Sequence, residues 1–258
     1  MLHTSLRRRA LFTAGGALAG SLTLSGAAAS APAGIAPAGT APAGTAPAGT
    51  APAGTTPART APTPDTPRRA LEAILAGNRR FASGHSRHPH QDLARVRETA
   101  PAQHPFVIVL GCADSRVPPE VLFDQGLGDV FDNRVAGNIV DDLLLGSIEY
   151  AVEEFAPPLI VVLGHERCGA VSATLNAIRT GGTAPGHIGT IVSALRPIVT
   201  PYVNDPDGVE HAVRANVRAQ AAALVSTSEI VRESVDHGRT AVVGARYDLE
   251  SGRMTLVH

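Results

Sequence analysis

Phe106-Val-Ile-Val-Leu-Gly-Cys112 and Leu159-Ile-Val-Val-Leu-Gly-His165 are near twins: five apolar residues, a glycine, then a side chain able to bind a metal. A continuous apolar run of this kind, rich in β-branched residues, reads as a strand buried on both faces, as in a parallel sheet. Between the two runs the pattern predicts a shorter strand at about Val130–Val135 and an amphipathic helix from about Asp141 to Phe155. Helical spacing recurs at about Ala170–Thr180, Gly189–Thr200, Val209–Ser226 and Ser228–His237. Thr240–Leu249 and Arg253–Val257, joined through Glu250-Ser-Gly252, read as a last strand and its hairpin return. Strands alternating with helices predict an α/β fold: a mostly parallel central sheet, four parallel strands plus an antiparallel edge strand, flanked by helices. Ligands in such sheets sit beyond the carboxyl ends of the strands.

Upstream of this pattern, Ala70, Leu71, Ile74 and Leu75 have helical spacing, with Thr66 placed to cap the helix and Pro67 in its first turn. A polar loop with His85, His88 and His90 follows. Residues 1–29 read as a twin-arginine export signal: Arg7, Arg8 and Arg9 precede a moderately apolar stretch rich in Gly and Ala, and no acidic residue occurs before Asp65. Residues 30–66 carry a repeated five-residue unit, Ala-Pro-Ala-Gly-Thr, whose regular Pro and Gly exclude a core and predict a disordered, extended linker. The catalytic domain is then expected over 67–258, in a protein exported to the cell envelope or beyond.

The 258 residues hold 26 Gly, 20 Pro, two Cys and no Trp, and the formal net charge is −1. That balance excludes a basic grip on nucleic acid. All the basic side chains are Arg, so a lysine Schiff base or a phosphate-binding loop lysine is excluded. Both cysteines fall at the functional edge, Cys112 after the first buried strand and Cys168 after the second, three residues past His165. Two thiolates and an imidazole are the donor set that selects zinc and leaves a fourth position open for catalysis. A Cys112–Cys168 disulfide, a cysteine nucleophile with His165 as base, and a purely structural zinc site are the competing readings of the same three residues.

The ordered motifs Cys112-Ala-Asp-Ser-Arg-Val-Pro-Pro-Glu120, Phe123–Asp129, Arg134–Asn138, Gly146–Val152 and Gly164-His-Glu-Arg-Cys-Gly-Ala170 resemble the β-class carbonic anhydrases, from about Asn78 to Tyr247. The resemblance implies reversible hydration of carbon dioxide to bicarbonate and a proton by zinc-bound hydroxide, with Zn2+ held by Cys112, His165 and Cys168. It also implies an Asp114–Arg116 dyad, Asp114 serving as a fourth ligand if the pair opens. Gln103, Phe131, Tyr150 and Gly169 match substrate-pocket positions. A homodimer or dimer of dimers is implied, with the helix at about Leu71–Phe81 packing on the partner and pocket residues supplied across the interface. Val109 stands where members with a regulatory bicarbonate site tend to carry Trp, so that site is not carried over. His85, His88, His90 and His104 read as surface residues rather than proton relays. Rival functions are hydrolysis of CS2 or COS on the same scaffold, and zinc binding without turnover.

Overall fold

The computed structural model describes residues 63–258, so the expected export signal and all but the end of the expected linker lie outside the described residues. The chain runs α1 (Pro67–Ala82), α2 (Leu93–Thr99), β1 (Val107–Gly111), α3 (Pro119–Leu122), β2 (Val130–Arg134), α4 (Asp142–Phe155), β3 (Leu159–His165), α5 (Gly169–Thr180) and α6 (Ile188–Val199). After a 3-10 turn at Thr200–Tyr202 come α7 (Gly208–Thr227), α8 (Glu229–Asp236), β4 (Ala241–Tyr247) and β5 (Met254–Val257). The five strands form one sheet in the order β2-β1-β3-β4-β5. The first four are parallel and β5 runs antiparallel to β4, as expected from the sequence. Among the described residues no helix is long and apolar enough to cross a membrane.

The twin apolar runs are buried throughout because the strands' period of two serves both faces of the sheet. Val107 and Val109, with Leu159, Val161 and Leu163, face α1 and the turn at Leu122–Phe123. Ile108 and Leu110, with Ile160 and Val162, face α4, α7 and α8. Each such side chain contributes about 1.5–3 kcal/mol by leaving water. Glycine sets the closeness of one helix: a Cβ on Gly164 would lie 2.5 Å from Val217 Cγ2, and one on Gly244 2.7 Å from Val217 Cγ1. So α7 rests directly on β3 and β4. A third apolar cluster, built from α5, α6 and α7, closes over the carboxyl end of the sheet and includes both cysteines.

Helix starts follow their capping chemistry. Thr66, Asp92, Asp141 and Ser228 each accept a backbone N–H from the first turn of α1, α2, α4 and α8. The face of α1 that carries Ala70 and Ile74 is buried against its own chain. From that helix Asn78 donates to Leu122 O and Gly252 O and accepts from the Met254 N–H at 2.7 Å. Three elements differ from the sequence reading. The region read as a polar loop contains α2, and the four-residue α3 follows the Cys112 motif. The helix expected to run to Thr200 ends at Val199 and tightens into the 3-10 turn.

Candidate metal centre

β1 and β3 pair in register, with Gly111 opposite Leu163, so the residues just beyond their ends converge. Cys112 follows β1 directly, His165 is the last residue of β3, and Cys168 is the N-cap of α5. The turn from His165 to Cys168 passes through Arg167 at φ +52°, a left-handed conformation that L side chains rarely adopt. That turn brings the strand-end imidazole and the helix-start thiol to the same side. The Sγ atoms of Cys112 and Cys168 and one ring nitrogen of His165 lie within 4.8 Å of one another, and all three residues are buried. Both cysteines are free thiols, not a disulfide.

Three observations fit this trio to a zinc ion. The donors are the soft-to-borderline set zinc selects, and their spacing suits bonds of about 2.0–2.3 Å to one centre. His165 Nδ1 pairs with Glu166 O at 2.9 Å, which fixes the proton on Nδ1 and leaves Nε2 as a lone-pair donor. His165 Nε2 is buried without a hydrogen-bond partner, the state of a ligand atom rather than of a satisfied core histidine.

The cysteines are electrostatically unequal. A hydrogen bond from Cys168 holds the Cys112 thiol well below its ordinary range, against burial, with help from His165 and the N–H groups of Gly137 and Asp114. Cys168 is pushed up in turn by Cys112 and by burial, opposed by the N–H groups of Val171 and Ala170 at the start of α5. The cluster therefore favours a thiolate at Cys112 alone before a cation is bound.

Asp114 lies beside the trio, with Oδ2 3.8 Å from His165 Nε2. Arg116 grips it with Nε to Oδ1 at 2.9 Å, Nη2 to Oδ2 at 2.7 Å and its backbone N–H to Oδ1 at 3.0 Å. The Arg116 fork holds the carboxyl well below the usual carboxylate range, and both its oxygens are engaged by that fork. Arg134, at the end of β2, donates from Nε to Cys112 O at 2.8 Å and from Nη2 to Asp114 O. That clamp on the metal loop was not anticipated. The available signal was a charged residue ending a strand whose neighbour, β1, ends at Gly111 opposite it.

The pocket residues expected from the sequence do not gather here within one chain. Gln103 is exposed in the loop before β1, at the opposite end of that strand from Cys112. Phe131 pairs with Ile108 near the start of β2 and packs on the α4 side of the sheet. Tyr150, 54% exposed on α4, lies 6.4 Å from Phe131 between ring centroids, and both rings neighbour Phe155. Gly169 does sit at the centre, beside Cys168; a Cβ there would meet nothing within 4 Å, so its backbone borders open space.

Comparison with known proteins follows the same lines. The family model for carbonic anhydrase matches residues 107–254. Carbonic anhydrase 2 of Mycobacterium tuberculosis (strain CDC 1551 / Oshkosh) is 42% identical over 197 residues, covering 75% of this chain and 94% of that protein. A carbonic anhydrase of Mycolicibacterium smegmatis is 42% identical over 191 residues, covering 74% and 93%. Among solved structures, one of two tetrameric beta-carbonic anhydrases from the filamentous ascomycete Sordaria macrospora superposes with a TM-score of 0.59 at 25% identity, covering 72% of this chain and 96% of that one. With its sheet, its Cys-His-Cys centre and these relatives in agreement, the chain belongs to the β-class carbonic anhydrase family, zinc enzymes that hydrate carbon dioxide to bicarbonate.

Proposed function

We propose that Cys112, His165 and Cys168 are the zinc ligands of this carbonic anhydrase, and that a second copy of the chain completes each active site. The orphaned, buried Nε2 of His165 between two cysteines carries the first part. When bound, zinc supplies a Lewis acid that makes water a nucleophile near neutral pH. The chain's own residues do the rest. Asp114, pinned by Arg116 beside His165 Nε2, is placed to accept a hydrogen bond from the attacking water and orient its lone pair. Arg116 also keeps that carboxylate from turning toward the metal as a fourth ligand. Gly169 leaves the carbon dioxide approach free of a side chain.

Support for the second part is the position of Gln103, Phe131 and Tyr150, which one chain keeps away from its own cysteines. Supplied by a partner in a homodimer, the Gln103 amide would donate to a substrate oxygen while the two rings exclude water. The experiment is complementation read by stopped-flow carbon dioxide hydration. Cys112→Ser and Gln103→Ala proteins should each be nearly silent. After unfolding and refolding together, each mixed dimer should hold one intact site of its two, so that with about half the dimers mixed the whole population regains roughly one site in four, and a zinc chelator should abolish it. Mixtures as silent as their parents would sink the shared site. We further propose that the chain leaves the cytoplasm by the twin-arginine route, on the strength of Arg7, Arg8 and Arg9 and the apolar run behind them.

A further inference from the structure

Two buried amides on α7 are not used by the chemistry described so far. Asn216 and Gln220 stand one helical turn apart, 1% and 5% exposed, on a face otherwise made of Val213, Val217 and Leu224. Buried amides are costly unless every polar atom is matched, so their partners indicate their purpose. Val140 N–H donates to Gln220 Oε1 at 2.9 Å, Gln220 Nε2 donates to Asn216 Oδ1 at 2.9 Å, and Asn216 Nδ2 donates to Gly137 O at 2.8 Å. A backbone donor at one end and a backbone acceptor at the other fix both amides in a single orientation. Both ends of this relay grip the same segment, Gly137 to Val140.

That segment touches the metal centre at one polar point: Gly137 N–H donates to Cys112 Sγ at 3.4 Å. Its backbone has little slack. Gly137 sits at φ +83°, and a Cβ there would meet Leu195 Cδ1 at 3.1 Å and Ala170 Cβ at 3.2 Å. A residue held from one side by its carbonyl and packed on the other presents its N–H in one direction only.

We propose that Asn216 and Gln220 are positioning residues for the hydration reaction, aiming the Gly137 N–H at the Cys112 sulfur and so setting how strongly that thiolate donates to the metal. The inference rests on the zinc assignment above. Two thiolates load an ion with more negative charge than neutral ligands would, and a hydrogen bond to one sulfur draws some of that charge back.

The test measures zinc affinity by chelator competition and, in cobalt-substituted protein, the thiolate-to-cobalt absorption band. Asn216→Ala should move the band to longer wavelength, because a sulfur without its N–H gives up charge more easily, and should weaken zinc binding about 10- to 100-fold, because Cys112 loses the contact that orients it. Ser234→Ala removes an equally buried hydrogen bond, to Thr240 ahead of β4 at the far end of the sheet, and should leave both readouts unchanged. If Asn216→Ala does not fold, Gln220→Met, which spares the Asn216–Gly137 bond, should give the same changes at smaller size. Wild-type affinity with an unshifted band in whichever variant folds overturns the proposal, as do equal changes in the Ser234 control. Wild-type protein that binds no zinc at all would instead defeat the zinc assignment itself.

Discussion

Arg167 holds a backbone conformation that costs on the order of 1 kcal/mol for a residue with a side chain, between two metal-binding positions. Its guanidinium reaches Glu166 and Glu250 at the surface, and its place in the chain lets His165 and Cys168 face one point. At this scale the sharpest prediction concerns Asp114. Asp114→Asn keeps shape and leaves the three ligands in place but removes the charge that Arg116 grips. Zinc content should be unchanged while turnover falls about 100-fold, measured by metal analysis and stopped-flow hydration on the same sample. Unaltered turnover would strip Asp114 of its role. The Cys112–His165–Cys168 trio was legible in the sequence, because two cysteines in so long a chain, both after buried strands, leave few arrangements; the Asp114–Arg116 pair was legible through the family motif that holds it. Arg134 and Asn216 were not legible as functional. Both act through backbone atoms of other segments, and nothing in a linear pattern says which carbonyl an arginine or amide will find.

The segment between α1 and β1 teaches the complementary lesson about elements. Asp124, side chain fully buried at φ +48°, accepts from Arg80 Nε and from the N–H groups of Arg87 and His88. Asp129 binds His90, Arg95 and the Gly126 N–H. These two carboxylates tie the His-bearing stretch down across the turn that leads into β2. Burial works against the charge on Asp124, but the two N–H groups and the Arg80 guanidinium outweigh it and hold the carboxyl below its ordinary value. A depressed folded-state pKa gives stability that is complete above the unfolded value of about 4 and lost as pH falls through the folded one. Asp124→Asn, which tolerates the same backbone, should therefore cost about 2 kcal/mol at pH 7. The difference should shrink markedly at pH 3, read from urea midpoints; a constant difference would show that charge is not what Asp124 contributes. None of this was visible beforehand: α2 has seven residues and buries none, so it lacks the apolar stripe that reveals a helix. The central strands β1 and β3 were readable for the opposite reason, both being apolar on both faces.

Across the whole molecule, the sheet order separates what the sequence could specify from what it could not. Parallel pairing of β1 with β3 follows from two buried runs and a crossover between them, whereas β2, on one outer edge, is only partly buried. The same edge carries Phe131, which with Gln103 lies toward the amino ends of the strands, away from Gly169 and the cysteines at the carboxyl ends. The export proposal also belongs to this scale. Replacing Arg7, Arg8 and Arg9 with Lys should leave the enzyme active but retained in the cytoplasm, seen by fractionation; undiminished secretion would point to another route.

The pairing of β1 with β3 also fixes an order of events during biosynthesis. Cys112 emerges from the ribosome while the crossover, β3 and Cys168 are still to be made, so a lone thiol waits with no partner in reach. The centre cannot exist until β3 has been laid beside β1. A three-donor site therefore needs the sheet to be assembled, and an ion seated there would be a rivet across two neighbouring strands. A thiol-blocking reagent present during synthesis should then be far more damaging than the same reagent added to finished, zinc-loaded protein.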